Sequence, residues 1–193
     1  MGKEVVVILG HPDADSYCAA LAQAYVAAAT EAGNRVGFYA LGDMVFDPIL
    51  RQGYKQVQPL EPDLLALQHA ISQAEHLVFV YPTWWGTMPA LLKGMFDRLF
   101  VPGFAFKYRK PDSVLWDKLL KGRSAQAIVT MDTPGWYYRF VYKLAGHHIL
   151  KRCILEFCGI RPVAIHALGP VKSSSPQQRQ AWLAEVQHLA STI

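Results

Sequence analysis

Leu77-Val78-Phe79-Val80-Tyr81-Pro82-Thr83-Trp84-Trp85-Gly86-Thr87-Met88-Pro89 is the stretch whose reading decides the fold. Its first residues are a short, unbroken apolar run of the kind that fills a strand buried on both faces. From Pro89 onward the pattern changes. Leu91, Leu92, Met95, Phe96, Leu99 and Phe100 recur at helical spacing and form a wide apolar stripe. Pro89 suits the first turn of that helix, where no backbone donor is needed. Two adjacent tryptophans therefore sit on a strand-to-helix loop, bounded by prolines and relaxed by a glycine. Large aromatics on a loop remain in water unless something flat packs on them. The loop is a candidate platform for a planar ring, with backbone groups free to bond the ring's edge. One tryptophan is expected to pack inward and the other to meet the ligand. Filling a core or a subunit contact is the alternative use.

The same alternation extends in both directions. Glu4 to Leu9 reads as a central parallel strand. Ser16 to Glu31 reads as a helix with Tyr17, Leu21, Tyr25 and Ala28 on one face, stopped by Gly33-Asn34. Arg35 to Leu41 is a strand, Pro62 to Ala74 a helix, and Pro102 to Asp112 a glycine- and proline-containing excursion. Ser124 to Met131 is a strand, broken by Asp132-Thr133-Pro134-Gly135. A long helical region, bent near Gly146, is expected from Tyr137 to Phe157, with Gly159 ending it. Pro162 to Leu168 is the fifth strand. Ser175-Pro176-Gln177-Gln178 opens a last helix that buries Trp182, Val186 and Leu189. Five strands alternating with helices imply an α/β fold with a parallel sheet covered on both faces.

The chain has 193 residues, 52% of them hydrophobic, and carries a formal net charge of +4. That length fits one domain, expected over 1–193. No segment approaches the roughly 20 apolar residues of a membrane span. The start of the chain lacks a signal-peptide pattern, so the expected compartment is the cytoplasm. The three cysteines (Cys18, Cys153 and Cys158) make no disulfide framework, and Cys153 and Cys158 read as buried fillers. The densest basic run, Lys107-Tyr108-Arg109-Lys110, comes without a nucleic-acid motif, so no nucleic-acid partner is expected.

In an open parallel sheet, ligands bind beyond the carboxyl ends of the strands, where the strand order reverses. For the order 2-1-3-4-5 that point lies between the first and third strands. The tips there are Gly10 to Ser16, Pro82 to Thr87 and Asp132 to Trp136. The first leads into a helix N-terminus, which favours an anion. It matches neither the dinucleotide glycine fingerprint nor the P-loop. Ser16 has a hydroxyl and an amide to offer a phosphate and His11 a ring N–H; plain helix capping by Ser16 or Asp15 is the alternative. Asp13 and Asp15 are expected to face away from any phosphate. At the third tip, backbone amides suit the far side of the same ring, while Asp132 or Thr133 caps the following helix. No Gly-x-Ser-x-Gly elbow is present. His147-His148 lacks a metal motif, and adjacent helical side chains point about 100° apart, so no metal is expected.

Together the three tips resemble the flavodoxin-like NAD(P)H:quinone oxidoreductase family, which includes drug-modulating quinone reductases and ancillary reductase subunits of potassium efflux systems. The matching residues are Gly10-His11-Pro12 with Ser16-Tyr17, then Tyr81 to Gly86 with Met88 to Gly94. Phe96 to Phe100, Gly103 to Phe106 and Phe157-Cys158-Gly159 continue the match. The resemblance implies a flavodoxin-like three-layer fold with a five-stranded parallel sheet of order 2-1-3-4-5. It implies a flavin in the crevice, FAD in preference to FMN, with His11, Ser16, Tyr17 and Cys18 at its phosphates. Pro82, Thr83, Trp84 and Trp85 would support its ring system, and Thr130, Asp132, Thr133 and Gly135 would meet the other edge. Cys18 stands where the family often has asparagine. In the family a Thr-Thr-Gly-Gly loop is followed by a tyrosine and a histidine; the third loop here departs from that pattern, and the resemblance offers Tyr137 and His147 as acid/base candidates without a motif match. The implied activity is hydride transfer from NAD(P)H to a quinone-like acceptor. A homodimer is implied as well, and a regulatory flavin subunit on a membrane transporter or a flavodoxin-type carrier are the rival uses.

Overall fold

A computed structural model of the protein describes residues 2–110 and 113–193. In chain order its elements are β1 (Glu4–Leu9), α1 (Tyr17–Glu31), β2 (Arg35–Ala40), α2 (Pro62–Gln73), β3 (His76–Pro82) and α3 (Ala90–Leu99). β4 (Phe106–Tyr108), β5 (Trp116–Lys118), β6 (Ser124–Thr130), α4 (Gly135–Phe140) and α5 (Ala145–His148) follow. A π-helical turn at Ile149–Leu155 leads into α6 (Glu156–Cys158), then β7 (Val163–Leu168) and α7 (Pro176–Ser191). The main sheet is parallel throughout, in the order β2-β1-β3-β6-β7. Counting only its own strands, that is the flavodoxin-like 2-1-3-4-5.

Successive strand residues point to opposite faces, and two cores result. Ile8, Phe79 and Val129 pack with Leu64, Leu67 and Ile71 of α2 and Leu92, Met95 and Leu99 of α3. Val7, Val78, Val80 and Ile128 pack on the other face with Leu21 and Tyr25 of α1 and Val186 of α7. Fully burying each such side chain contributes roughly 1.5–3 kcal/mol. Helix starts follow local chemistry. Ser16 Oγ accepts from the Ala19 amide at 3.2 Å, and Ser175 Oγ accepts from the Gln178 amide at 3.1 Å. Among the described residues, no helix is long and apolar enough to cross a membrane.

One charged side chain is built into this core. Arg98 of α3 is fully buried. Its Nη2 donates to Glu61 Oε2 at 2.9 Å and to the Pro59 carbonyl at 2.7 Å. Its Nη1 donates to Glu61 Oε1 at 3.1 Å and to the Asp47 carbonyl. Arg98 thereby pins the long segment between β2 and α2 that has little regular structure of its own.

Several expectations require correction. Pro89 precedes α3 as its N-cap rather than lying within the first turn. The long helix expected from Tyr137 to Phe157 breaks before Gly146, at Lys143 and Leu144, whose φ values are 52° and 54°. The excursion from Pro102 contains β4, which pairs antiparallel with β5 as a hairpin; its last residues, Pro111 and Asp112, lie outside the described residues. Cys153 is exposed, not buried: it lies in the π-helical turn, whose buried positions are Leu150 and Leu155, while Cys158 is buried.

Candidate active site

The carboxyl ends of β1, β3 and β6 lie side by side, with Leu9 in register with Val80 and Pro82 with Thr130. Beyond β1, the Asp13 amide donates to His11 Nδ1 at 2.9 Å. With Nδ1 accepting, the ring proton lies on Nε2, which remains a donor. The amides of Tyr17 and Cys18, the first two of the fifteen-residue α1, have no partner among the described residues. The Ser16 hydroxyl oxygen caps the helix while its proton stays free to donate, so capping leaves a donor open here. Asp13 Oδ1 is turned back onto the Asp15 amide at 2.9 Å. The Tyr17 hydroxyl donates to the Arg179 carbonyl at 2.8 Å, which commits that side chain to the α1–α7 contact. Cys18 is buried, its Sγ 3.2 Å from Thr130 Oγ1. Burial pushes its thiol up to about 11 against the opposing effect of the Thr130 hydrogen bond. Its backbone N–H, not its thiol, is the donor it leaves open.

The second tip is a two-residue turn. Trp84 and Thr87 exchange backbone hydrogen bonds of 2.8 and 3.1 Å. Trp85 and Gly86 between them have φ of 50° and 77°, the signature of a type I′ turn. Glycine adopts such angles freely, but tryptophan does so at a cost of about 1–2 kcal/mol. Neither tryptophan packs inward as expected: Trp84 is 43% exposed and Trp85 fully exposed. A tight turn projects both side chains outward instead of burying one. The amides of Trp85 and Gly86 have no partner among the described residues.

At the third tip, the Thr130 carbonyl accepts from the Thr83 amide at 2.7 Å. Neither Asp132 nor Thr133 caps α4; Pro134 holds that position without a side-chain bond. Asp132 Oδ1 instead accepts from the Lys172 amide at 2.7 Å. The amides of Thr133, Gly135 and Trp136 have no partner among the described residues, and Trp136 is exposed. The three tips are laced together. His11 meets Trp84 edge-on with ring centroids 5.5 Å apart, Thr83 joins Thr130, and the Tyr138 hydroxyl donates to the Gly86 carbonyl at 3.0 Å.

Of the two acid/base candidates, Tyr137 is half-buried between Trp136 and Tyr142, with ring centroids 5.5 and 5.1 Å away. His147 packs on Tyr138 at 4.9 Å, and its Nε2 is enclosed without a hydrogen-bond partner. Burial, reinforced by the neighbouring His148 charge, pushes its imidazole down to about 4. Two residues escaped the sequence reading. Tyr138, buried and bonded to the tryptophan turn, is one. Tyr142, exposed with its ring edge 4.0 Å from a β-carbon placed on Gly86, is the other. A Tyr-Tyr pair on a short helix signals that one member faces inward, but not which.

The donor set fits a flavin. Unpartnered amides stand at all three tips, aromatic faces are open beside them, and the nearby Asp13 and Asp132 carboxylates accept from amides of the protein itself. Comparison with known proteins agrees with the architecture. The model of a family described as having a flavodoxin-like fold matches residues 3–190. A Haemophilus influenzae protein named as an uncharacterized NAD(P)H oxidoreductase is 30% identical over 185 residues, covering 92% of this chain and 89% of its own. NAD(P)H dehydrogenase (quinone) 1 of Cavia porcellus is 26% identical, with coverage of 94% and 74%. The solved structure of an FMN-dependent NADH-azoreductase from Bacillus anthracis, in complex with FMN, superposes with a TM-score of 0.76 at 21% identity, covering 99% of this chain and 98% of its own.

Proposed function

The chain belongs to the flavodoxin-like NAD(P)H:quinone oxidoreductase family, and from that membership we propose that it is a flavin-dependent oxidoreductase passing a hydride from NAD(P)H to a quinone-like acceptor. The observation that carries the reading is the left-handed Trp84–Thr87 turn, which presents two exposed tryptophans beside unpartnered amides of the first and third tips. The bound flavin supplies hydride acceptance and hydride delivery.

The protein's own part is to hold, orient and stabilise. His11 Nε2–H, the Ser16 hydroxyl and the amides of Tyr17 and Cys18 hold the phosphate end, helped by the dipole of α1. Pro82, Thr83, Trp84 and Trp85 flank the ring system. The third tip, from Thr130 through Asp132 and Thr133 to Gly135, would offer preorganised amides to the negative charge that a bound flavin gains when reduced. Tyr137 and His147 remain the proposed acid/base candidates; His147, neutral at neutral pH, acts without an ionic charge. Donor and acceptor would take turns in the one slot, giving ping-pong turnover.

FAD is the proposed cofactor, and the whole chain, 1–193, is proposed as its domain, working in the cytoplasm. The exposed Trp136, Phe140, Val141 and Tyr142 are proposed to lie against a second copy of this chain. A pull-down from membrane extracts tests the rival role at a transporter.

The experiment is steady-state NAD(P)H oxidation by the flavin-reconstituted protein with a soluble quinone. Turnover that needs both flavin and quinone, with parallel double-reciprocal lines, is expected. No flavin-dependent turnover would sink the proposal.

A further inference from the structure

Trp85 occupies a left-handed conformation that no feature of its own side chain favours, so something outside the turn must hold it. Two contacts do so, and both come from the segment after the third tip. The buried Tyr138 donates its hydroxyl to the Gly86 carbonyl at 3.0 Å. Gly146 presses on the same spot. A β-carbon there would lie 2.5 Å from the Gly86 carbonyl oxygen, 2.7 Å from the Tyr138 hydroxyl and 3.0 Å from Thr87 Cα. The abrupt break at Lys143 and Leu144, φ 52° and 54°, is what brings α5 back to make this approach.

We propose that Tyr138 is a positioning residue: its hydroxyl, with Gly146 as a zero-clearance stop, latches the Trp84–Thr87 turn to the third tip and so sets the width of the flavin slot. The inference rests on the reading of that turn as one wall of the slot. Tyr138 touches neither cofactor nor acceptor in this role. It acts through Gly86, by fixing the peptide that follows Trp85 and hence where the indole and the Trp85 and Gly86 amides point. Gly86 and Gly146 are needed for different reasons, one for its dihedral angles and the other for its missing side chain.

The full-length Tyr138→Phe protein removes one oxygen and leaves the ring packing in place. Amide hydrogen exchange on the flavin-free protein reads the latch directly. Faster exchange at the Trp84 and Thr87 amides, with core strands unchanged, is expected. Affinity for added FAD should fall roughly three- to tenfold, the worth of one such hydrogen bond. KM for quinone should rise more than kcat falls. Gly146→Ala pushes the turn from the other side and should give the same exchange signature. If Tyr138→Phe left both turn exchange and FAD affinity unchanged while the parent protein bound FAD, the latch would be overturned and the proposed function would stand. If the parent protein bound no flavin, the functional reading would fail, and the slot-width role of Tyr138 with it, whatever the exchange result.

Discussion

Cys18 Sγ lies 3.2 Å from Thr130 Oγ1, a side-chain bond that ties the first turn of α1 to the end of β6 and so joins the first and third tips. Burial pushes the Cys18 thiol up to about 11 and the Cys158 thiol up to about 12. Both are protonated and shielded at neutral pH, whereas Cys153 is exposed. Titration of the native protein with a chromogenic disulfide should therefore show one fast thiol, lost in Cys153→Ser, and two that react only on unfolding. Cys18 reacting as fast as Cys153 would contradict this placement.

Trp85 combines full exposure with an unfavourable backbone conformation. Asparagine tolerates that conformation better. Trp85→Asn should leave the melting temperature unchanged or slightly raised, yet weaken FAD binding about three- to tenfold through loss of an aromatic contact. Melting curves and a fluorescence titration separate the two effects. A purely structural tryptophan would show the reverse, a lower melting temperature with unchanged affinity.

The strands and most helices were legible because they obey local rules. Leu77 to Tyr81 needed burial on both faces, and Ser16 and Ser175 announced their helices by capping chemistry. Alternation and handedness implied a parallel sheet and left a few topologies; the order 2-1-3-4-5 came with the family resemblance. What stayed hidden depends on distant contacts. Lys143 and Leu144 adopt positive φ without a glycine to mark it, just before Gly146 makes its close approach to Gly86. The β4–β5 hairpin has strands too short for periodicity to register. At the site, the tips and their donors could be named in advance, but the choice of Tyr138 over Tyr137 as the buried ring was made by the tertiary approach of α4 to the tryptophan turn.

Arg98 carries the segment between β2 and α2. Arg98→Met would strand Glu61, whose side chain keeps 29% of its exposure. Removing one partner of a buried pair costs roughly 3–5 kcal/mol. Because water still reaches Glu61, a loss of about 3 kcal/mol is expected from urea denaturation, and Arg98→Met with Glu61→Gln should recover part of it. A single mutant within 0.5 kcal/mol of the parent, roughly the scatter of ordinary surface substitutions, would refute the anchoring role.

His76 is buried at the far end of the sheet, its Nδ1 2.7 Å from Ser124 Oγ and its Nε2 3.4 Å from the Tyr25 hydroxyl. Burial first, then the Lys3 charge, pushes its imidazole down to about 4 against the Gln126 hydrogen bond. The unfolded chain therefore binds the proton more readily than the native one. Stability from this group is complete above about pH 6.5 and is lost as pH falls toward 4, by on the order of 3 kcal/mol. Urea midpoints measured between those pH values should fall with acidity, and His76→Gln should flatten the slope. An unchanged slope in the mutant would show that His76 is not the responsible group.

The most direct test of the account is anaerobic mixing of the FAD-saturated protein with NADPH, followed by a quinone. The account predicts that the visible flavin absorbance bleaches on the first addition and returns on the second. Flavin that binds but stays oxidised in the presence of NADPH and NADH would contradict it.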